Sequence, residues 1–216
     1  MPYKIDDNNL INKYDFDFNS FYNSVISHPT FNNKQSYINK WFNILSKVDC
    51  INELYNVESL NYPYEFYFPI FEQEFYFHFN IEKITKMIKK HPFKYMPLYK
   101  NIKYFKNNFI AYTYEEYNEL HIASIRPIII VPMMQTNSDF LVIDGNHRVS
   151  AKIDNNFKRI LCVIYTPNHN YDFYYQIDYI MWLFINEINH YSEQVIKYNA
   201  DIDKLIKKSV INNLSF

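Results

Sequence analysis

Residues 140–151 read Phe140-Leu-Val-Ile-Asp-Gly-Asn-His-Arg-Val-Ser-Ala151, and they contain Gly145, the only glycine among 216 residues. The apolar run at the start of this stretch is bounded by polar residues and predicts a buried strand. The residues from His147 to Asn155 carry small or apolar side chains at helical spacing and predict a helix. Glycine adopts positive φ at little steric cost. The sequence therefore predicts a strand that turns sharply at Gly145 into a helix.

A strand, a sharp turn and a helix N-terminus together favour an anion site. The first N–H groups of a helix have no partner within the helix, and the helix dipole is positive at that end. Arg148 offers a planar fork that matches phosphate oxygens. The dipole disfavours the cationic form of His147, so we expect this side chain to bind as a neutral donor. Asp144 is a candidate general base or Mg²⁺ ligand.

Each of these side chains also has a purely structural interpretation. Asp144 is suited to accept hydrogen bonds from the amides of the turn. In the same interpretation, Arg148 pairs with a carboxylate at the edge of the core. Both alternatives remain open from the sequence.

The run Asp144-Gly-Asn-His-Arg148, followed by Val-Ser-Ala, resembles the signature box of the ParB/sulfiredoxin-like superfamily. In that superfamily the box lies between a strand and a helix. The segment Ser124-Ile-Arg-Pro-Ile-Ile-Ile-Val131 resembles the helix end and the strand that precede the box. The segment Arg159-Ile-Leu-Cys-Val-Ile164 resembles the strand that follows it. The resemblance covers about residues 120 to 166.

The resemblance implies an α+β fold, in which helices pack on a small mixed sheet. We expect residues 63–167 to form the ParB/sulfiredoxin-like domain. Helical spacing in the flanking sequence predicts a helical N-terminal extension over residues 1–62 and a helical C-terminal extension over residues 168–216. We interpret the C-terminal helices as a cover for the core or a dimer contact rather than as a DNA-reading motif.

The resemblance also implies a ligand. Gly145, Asn146, His147 and Arg148 are expected to contact the phosphates of a nucleotide or of a phosphorylated small molecule. ATP, ADP and CTP are the candidate nucleotides, with Mg²⁺ as a candidate companion ion. Asp144 and His147 are the candidate catalytic residues.

At two positions this sequence departs from the superfamily pattern, and each departure argues against one of the superfamily's known activities. Asn146 stands where sulfiredoxins carry a nucleophilic cysteine, and an amide does no thiol chemistry, which argues against sulfinic-acid reduction. The paired arginines of partition proteins are absent, which argues against a CTP-gated DNA clamp.

Three functional classes remain open. The first is a nucleotide-dependent phosphotransferase or phosphohydrolase, whose base would be Asp144, Glu115 or Glu116. The second is a non-catalytic DNA- or nucleotide-binding module of the partition or mobile-element type. The third is a descendant that keeps the fold and acts through protein contacts.

Composition bears on partners. The formal net charge of −1 gives no overall basic excess for a phosphate backbone, so DNA is not the favoured partner. Lysines interleave with aromatic residues over residues 98 to 112, as on single-strand nucleic-acid surfaces. A chain with 22 Tyr and 19 Phe supplies such interleaving by chance.

The sequence predicts a cytoplasmic protein without a membrane partner. Its longest apolar run, Tyr179–Ile185, is far shorter than the ~20 residues that span a bilayer. The N-terminus shows no signal-peptide pattern. Cys50 and Cys162 fit no metal or redox spacing, so no metal site is predicted, and Cys162 is expected in the core.

Local signals give four further predictions. Thr113 and Glu116 form a capping-box pattern that predicts a helix to about Ser124. Asn80 is the predicted N-cap of a helix over Ile81–Lys90.

The other two concern a histidine and a serine. His78 falls on the polar side of an alternating strand pattern, where a histidine is expected to be solvated. Ser192 is predicted to cap a last helix that runs through Ile206.

Overall fold

The computed structural model describes residues 3–5, 11–13, 15–48, 64–70, 73–135 and 138–214. The fold is a mixed α+β arrangement, as predicted. The described chain falls into two compact units. We call Phe79–Asn168 the box unit, and we call the described parts of Met1–His78 and His169–Phe216 the flanking unit. Tyr64–His78, expected in the same domain as the box, groups with the flanking unit.

The box unit alternates short helices with the strands of one sheet. Its elements are α3 (Ile81–Lys90), β5 (Leu98–Asn101), α4 (Lys103–Lys106), β6 (Ile110–Ala111), α5 (Glu119–Ala123), β7 (Ile128–Gln135), β8 (Ser138–Asp144), α6 (Asn146–Asp154) and β9 (Arg159–Ile164). The strand order is β5-β9-β7-β8-β6, in a curled sheet. β7 runs antiparallel to β8 and parallel to β9, so the sheet is mixed.

The core of the box unit is formed by residues of the sheet, of α6 and of α4 with the residue before it. It is built from Ile102, Phe105, Ile110, Ile128, Ile130, Val142, Val149, Ile160 and Cys162. Burial of Cys162 confirms its predicted place, and that burial raises the pKa of the thiol to about 12. β8 and α6 meet at Gly145, as the sequence predicts.

One predicted helix start in the box unit is confirmed, and the prediction of another is wrong. Asn80 caps α3 by accepting a hydrogen bond from the Lys83 N–H. The predicted helix from Thr113 does not form, and residues 112–118 have no regular secondary structure. Side chains of α6 bind the N–H groups of this segment instead. A shorter helix, α5, begins after Asn118 and uses that residue as its cap.

The flanking unit contains the N-terminal and C-terminal helices and two small sheets. Its elements are β1 (Tyr3–Ile5), β2 (Ile11–Lys13), α1 (Phe18–Ser27), α2 (Gln35–Val48), β3 (Tyr64–Ile70), β4 (Gln73–Phe79), α7 (Gln176–Tyr198) and α8 (Ile202–Lys207). β1 pairs with β2, and β3 pairs with β4. Among the described residues, no helix is long and apolar enough to cross a membrane.

Two predictions for the terminal regions need correction. The N-terminal region is not entirely helical, because residues 3–5 and 11–13 form an antiparallel pair of strands. Asp6-Asp7-Asn8-Asn9, which separates them in the sequence, is made of turn-forming residue types that disfavour helix. Ser192 does not start a helix, since α7 continues through it to Tyr198. The buried stripe of α7 extends to Tyr191, whose packing outweighs a local capping signal.

Glu187 of α7 is a buried carboxylate whose hydrogen bonds tie three parts of the flanking unit together. Its oxygens accept hydrogen bonds from Tyr37 Oη at 2.6 Å, from Trp41 Nε1 at 3.3 Å and from the Ser209 hydroxyl. The N–H of Val210 also donates to it, at 2.8 Å. A buried charge is tolerated when its acceptor sites are filled in this way. We therefore assign Glu187 a structural role.

His78 of β4 is fully buried, and the prediction that it is solvated is wrong. Its Nδ1 lies 3.0 Å from Asp178 Oδ2 on α7, and its Nε2 lies 3.1 Å from Glu65 Oε2 on β3. The backbone N–H of His78 donates to the same Asp178 oxygen at 2.9 Å. The hydrogen bonds and charges of these two carboxylates thus offset the free-energy cost of removing the imidazole from water.

These contacts change the protonation of the cluster. Burial alone would lower the pKa of His78, but the attraction and hydrogen bond of Asp178, helped by Glu65, raise the pKa to about 9. Burial raises the pKa of Asp178 against the attraction of His78. Both shifts mean that the folded chain holds protons here more tightly than the unfolded chain does.

We predict that the flanking unit loses stability between about pH 6.5 and pH 9. The folded pKa of His78 is raised above the unfolded value of about 6.5, so its stabilising contribution is complete below that pH. The contribution is lost as pH rises through about 9, and the free energy of unfolding should fall by at most about 3 kcal/mol. Urea unfolding followed by tryptophan fluorescence measures this, because both tryptophans, Trp41 and Trp182, are buried in the flanking unit.

The test variant replaces the charged pair by neutral hydrogen-bonding groups, and the matched control replaces an exposed histidine. His78→Gln combined with Asp178→Asn should flatten the pH dependence, whereas His91→Gln, at an exposed histidine, should leave it as in the wild type. Equal slopes in the wild type and the double variant would refute the assignment.

Candidate functional site

Gly145 makes the turn from β8 into α6 with a backbone that other residues resist. Its φ is 101°, in the left-handed region. A Cβ at this position would lie 2.6 Å from Cγ2 of Ile128 and 2.8 Å from Nη2 of Arg148. Two constraints therefore require glycine here. One is the positive φ, and the other is the lack of space for a side chain beside Ile128 and Arg148. This confirms the backbone requirement expected from the sequence.

Arg148 of α6 holds the turn together. One terminal nitrogen of its guanidinium donates to Asp144 Oδ2 at 2.8 Å. The other donates to the carbonyls of Arg126 and Pro127, at 3.2 and 2.9 Å, just before β7 begins. The Arg148 side chain is 12% exposed and that of Asp144 is 38% exposed, so the guanidinium is largely shielded from water and the carboxylate is not. The structural alternative for Arg148, pairing with a carboxylate, is thus confirmed, and phosphate contact by Arg148 stays a prediction.

Asn146 and Ser150 fasten residues 112–118 along α6. The Asn146 Oδ1 accepts a hydrogen bond from the Thr113 N–H at 3.1 Å. The Ser150 hydroxyl accepts one from the Glu115 N–H at 3.0 Å and donates to the Asn146 carbonyl. The buried Asn146 side chain is therefore engaged within the protein, and this residue can offer a ligand its backbone N–H. The spacing of Asn146 and Ser150, one helical turn, is the sequence signal for a shared face.

His147 is exposed at the first turn of α6. Its Nδ1–H donates to the Glu116 carbonyl, which fixes one proton on Nδ1. The neutral ring therefore presents Nε2 as an acceptor, and Nε2 donates only in the cation. This corrects the expectation that a neutral His147 acts as a donor to a ligand.

A second histidine, which sequence reasoning missed, lies against the first. The rings of His121 and His147 are stacked, with centroids 5.0 Å apart and an interplanar angle of 11°. The Nδ1 of His121 accepts a hydrogen bond from the Asn118 N–H at 3.2 Å, so a neutral His121 carries its proton on Nε2. The signal available in the sequence was the position of His121, three residues after the cap Asn118.

The two histidines therefore present complementary groups when both are neutral, a donor on His121 Nε2 and an acceptor on His147 Nε2. Beside them, the N–H groups of Asn146, His147 and Arg148 have no acceptor within α6. Donors of this kind suit a phosphate, and an acceptor nitrogen suits the proton of a water or hydroxyl. Within the described ranges, no three His, Cys, Asp or Glu side chains form a group that could hold a metal ion.

Comparison of the chain with protein-family models, with curated proteins and with solved structures finds no match.

We predict that Gly145→Ala destabilises the box unit by about 2–4 kcal/mol, from the strain of positive φ and the displacement of Ile128. The protein's tryptophans lie outside this unit. Amide hydrogen exchange of β7 and β8, followed by mass spectrometry, is therefore the suitable measurement.

Asn156→Ala is the matched control, because Asn156 also has positive φ, 55°, but is exposed. It should cost only about 1 kcal/mol, the strain component alone. Exchange in Gly145→Ala as slow as in Asn156→Ala would show that the space beside Ile128 is not the constraint.

Proposed function

We propose that this chain binds a nucleotide, or another small molecule with a terminal phosphate, at the first turn of α6. The observation that carries the proposal is the turn at Gly145, after which a helix begins with no side-chain cap. A phosphate placed there would accept hydrogen bonds from backbone N–H groups and would be favoured by the helix dipole.

Two neighbouring features support the same ligand. His121 Nε2–H is a neutral donor at the rim of this turn, and the neutral His147 beside it presents Nε2 as an acceptor. Arg148 contributes differently from the expectation, since its guanidinium fixes the turn through Asp144 and two carbonyls. Its positive charge still adds to the local potential.

Turnover is part of the proposal. A neutral His147 Nε2 accepts the proton of an attacking water or hydroxyl, which is the requirement for a phosphohydrolase or phosphotransferase. Asp144 directly precedes Gly145 in the sequence, so its carboxylate is the candidate ligand for a Mg²⁺ that binds together with the nucleotide. Membership of the ParB/sulfiredoxin-like superfamily belongs to the same proposal, supported by the box sequence and by the strand, turn and helix around it.

The first experiment is a thermal-shift and calorimetry panel of ATP, ADP, CTP and inorganic pyrophosphate, each with and without Mg²⁺. A ligand at about a hundred times its dissociation constant adds roughly 2.7 kcal/mol, which corresponds to several degrees in Tm. Phosphate release in the same mixtures measures turnover.

His147→Asp is the sharpest variant. A carboxylate in the first turn of a helix stabilises the helix by about 0.3–1 kcal/mol but repels a phosphate. The variant loses the hydrogen bond from His147 to the Glu116 carbonyl, but its carboxylate favours the helix start, so we expect a protein that folds and does not bind the nucleotide. His91→Ala removes an exposed histidine elsewhere in the box unit and should bind normally. Absence of binding by every compound to cooperatively melting wild type, or undiminished binding by His147→Asp, would rule out the proposal.

A further inference from the structure

Charge is divided unevenly between the two units. The box unit contains thirteen Lys and Arg against seven Asp and Glu, a formal charge of +6. The sequence of residues 1–78 and 169–216, taken in full, contains nine against sixteen, a formal charge of −7. The overall charge of −1 therefore conceals a basic unit. An argument from net charge against polyanion binding does not apply to that unit taken by itself.

The basic charge is concentrated in one segment. From Lys83 to Tyr114 the chain has eight lysines and no Asp or Glu. This segment supplies β5 and β6, which form the two ends of the five-stranded sheet, and α4, which connects them. The lysines of β5 and α4 therefore lie on an end strand of the sheet and on the helix that follows it.

We define the margin surface by five side chains of this segment: Lys100, Lys103, Tyr104, Lys106 and Phe109. Its two rings are strongly exposed, Tyr104 by 49% and Phe109 by 49%. Their neighbour Phe105, by contrast, is fully buried in the core of the box unit. The exposed rings are therefore surplus to the packing of that core.

Cation–π and ring–ring distances link Lys100, Tyr104 and Phe109 of the margin surface. The Lys100 ammonium is 6.0 Å from the centre of the Tyr104 ring and 5.5 Å from that of Phe140 on β8. The Tyr104 and Phe109 rings are 6.1 Å apart, edge to face.

Two more cations adjoin the margin surface. Asn101 at the end of β5 pairs with Arg159, and the next N–H, of Ile102, donates to the Lys158 carbonyl at 3.1 Å. The side chains of Lys158 and Arg159 are both exposed.

We propose that the margin surface binds single-stranded nucleic acid. Its lysines would neutralise backbone phosphates, and its exposed rings would stack on unpaired bases. A duplex fits less well, since its bases are not free to stack and α4, with four residues, is too short to read a groove. A membrane fits less well, because lysines and rings alternate along the chain instead of occupying opposite faces of one helix.

One acidic side chain adjoins the margin surface and offers a test of sign. Asp139 of β8 is exposed, and its N–H donates to the Phe109 carbonyl at 2.9 Å. Its carboxylate would repel a nucleic-acid backbone. Asp139→Asn should therefore strengthen binding, whereas replacements of the lysines weaken it.

The experiment is fluorescence anisotropy of labelled 20-residue oligo(dT) and oligo(rU) with the full chain, between 50 and 200 mM salt. We expect the wild type to bind both strands and to lose affinity as salt rises. Replacement of Lys100, Lys103 and Lys106 by Ala together should weaken binding and lower the salt slope by about 2, or about 0.7 for each phosphate contact removed. Tyr104→Ala should weaken binding roughly tenfold and leave the slope unchanged.

The matched control removes the same charge from the flanking unit. Replacement of Lys204, Lys207 and Lys208, all exposed, by Ala should leave affinity and slope as in the wild type. His147→Asp should also retain oligonucleotide binding, which separates this surface from the first turn of α6.

Four outcomes would overturn the proposal. These are no binding at 50 mM salt, equal losses in the two triple-lysine variants, tighter binding to a duplex of the same length, or preferential binding to phosphatidylserine vesicles. Self-association at low salt that the oligonucleotide does not compete with would likewise show that the basic surface contacts an acidic surface of a second copy.

Discussion

The box unit depends on the contact between the Arg148 guanidinium and the backbone at Gly145. Because glycine has no side chain, the guanidinium lies directly against the turn and reaches Asp144 on one side and the carbonyls before β7 on the other. The segment before β7 and the turn between β8 and α6, about twenty residues apart in sequence, therefore meet at one cation. The turn that would present helix amides to a ligand is thereby fixed before any ligand arrives, which lowers the entropic cost of binding.

The flanking unit is held by a different kind of contact. Two carboxylates of α7, Asp178 and Glu187, are buried and reach residues of β4 and α2. Glu187 has neutral donors and is fully engaged, whereas Asp178 faces a histidine and keeps Oδ1 without a partner among the described residues. Removal of one partner from such a cluster costs more than the contact itself contributes, because a buried charge is left behind.

Features that local sequence determines could be predicted, and features that depend on distant partners could not. The turn at Gly145 and the cap at Asn80 follow from residue types within a few positions. The capping pattern at Thr113 is equally good locally, yet it fails because Asn146 and Ser150, more than 30 residues later, bind the same segment. The prediction that His78 is solvated failed for the same reason, because its buried partner Asp178 is 100 residues away in the sequence. The resemblance located the turn but could not show that Arg148 is engaged by the protein.

The position of β5 at one end of the sheet has a consequence for solubility. A strand at the end of a sheet exposes backbone groups that invite pairing with another chain, and charged side chains on it discourage that pairing. β5 reads Leu-Tyr-Lys-Asn, and lysines follow closely in α4. In a chain with 20% aromatic residues, these lysines also act as gatekeepers against aggregation. Selection on this strand would therefore preserve charge even where no partner is bound.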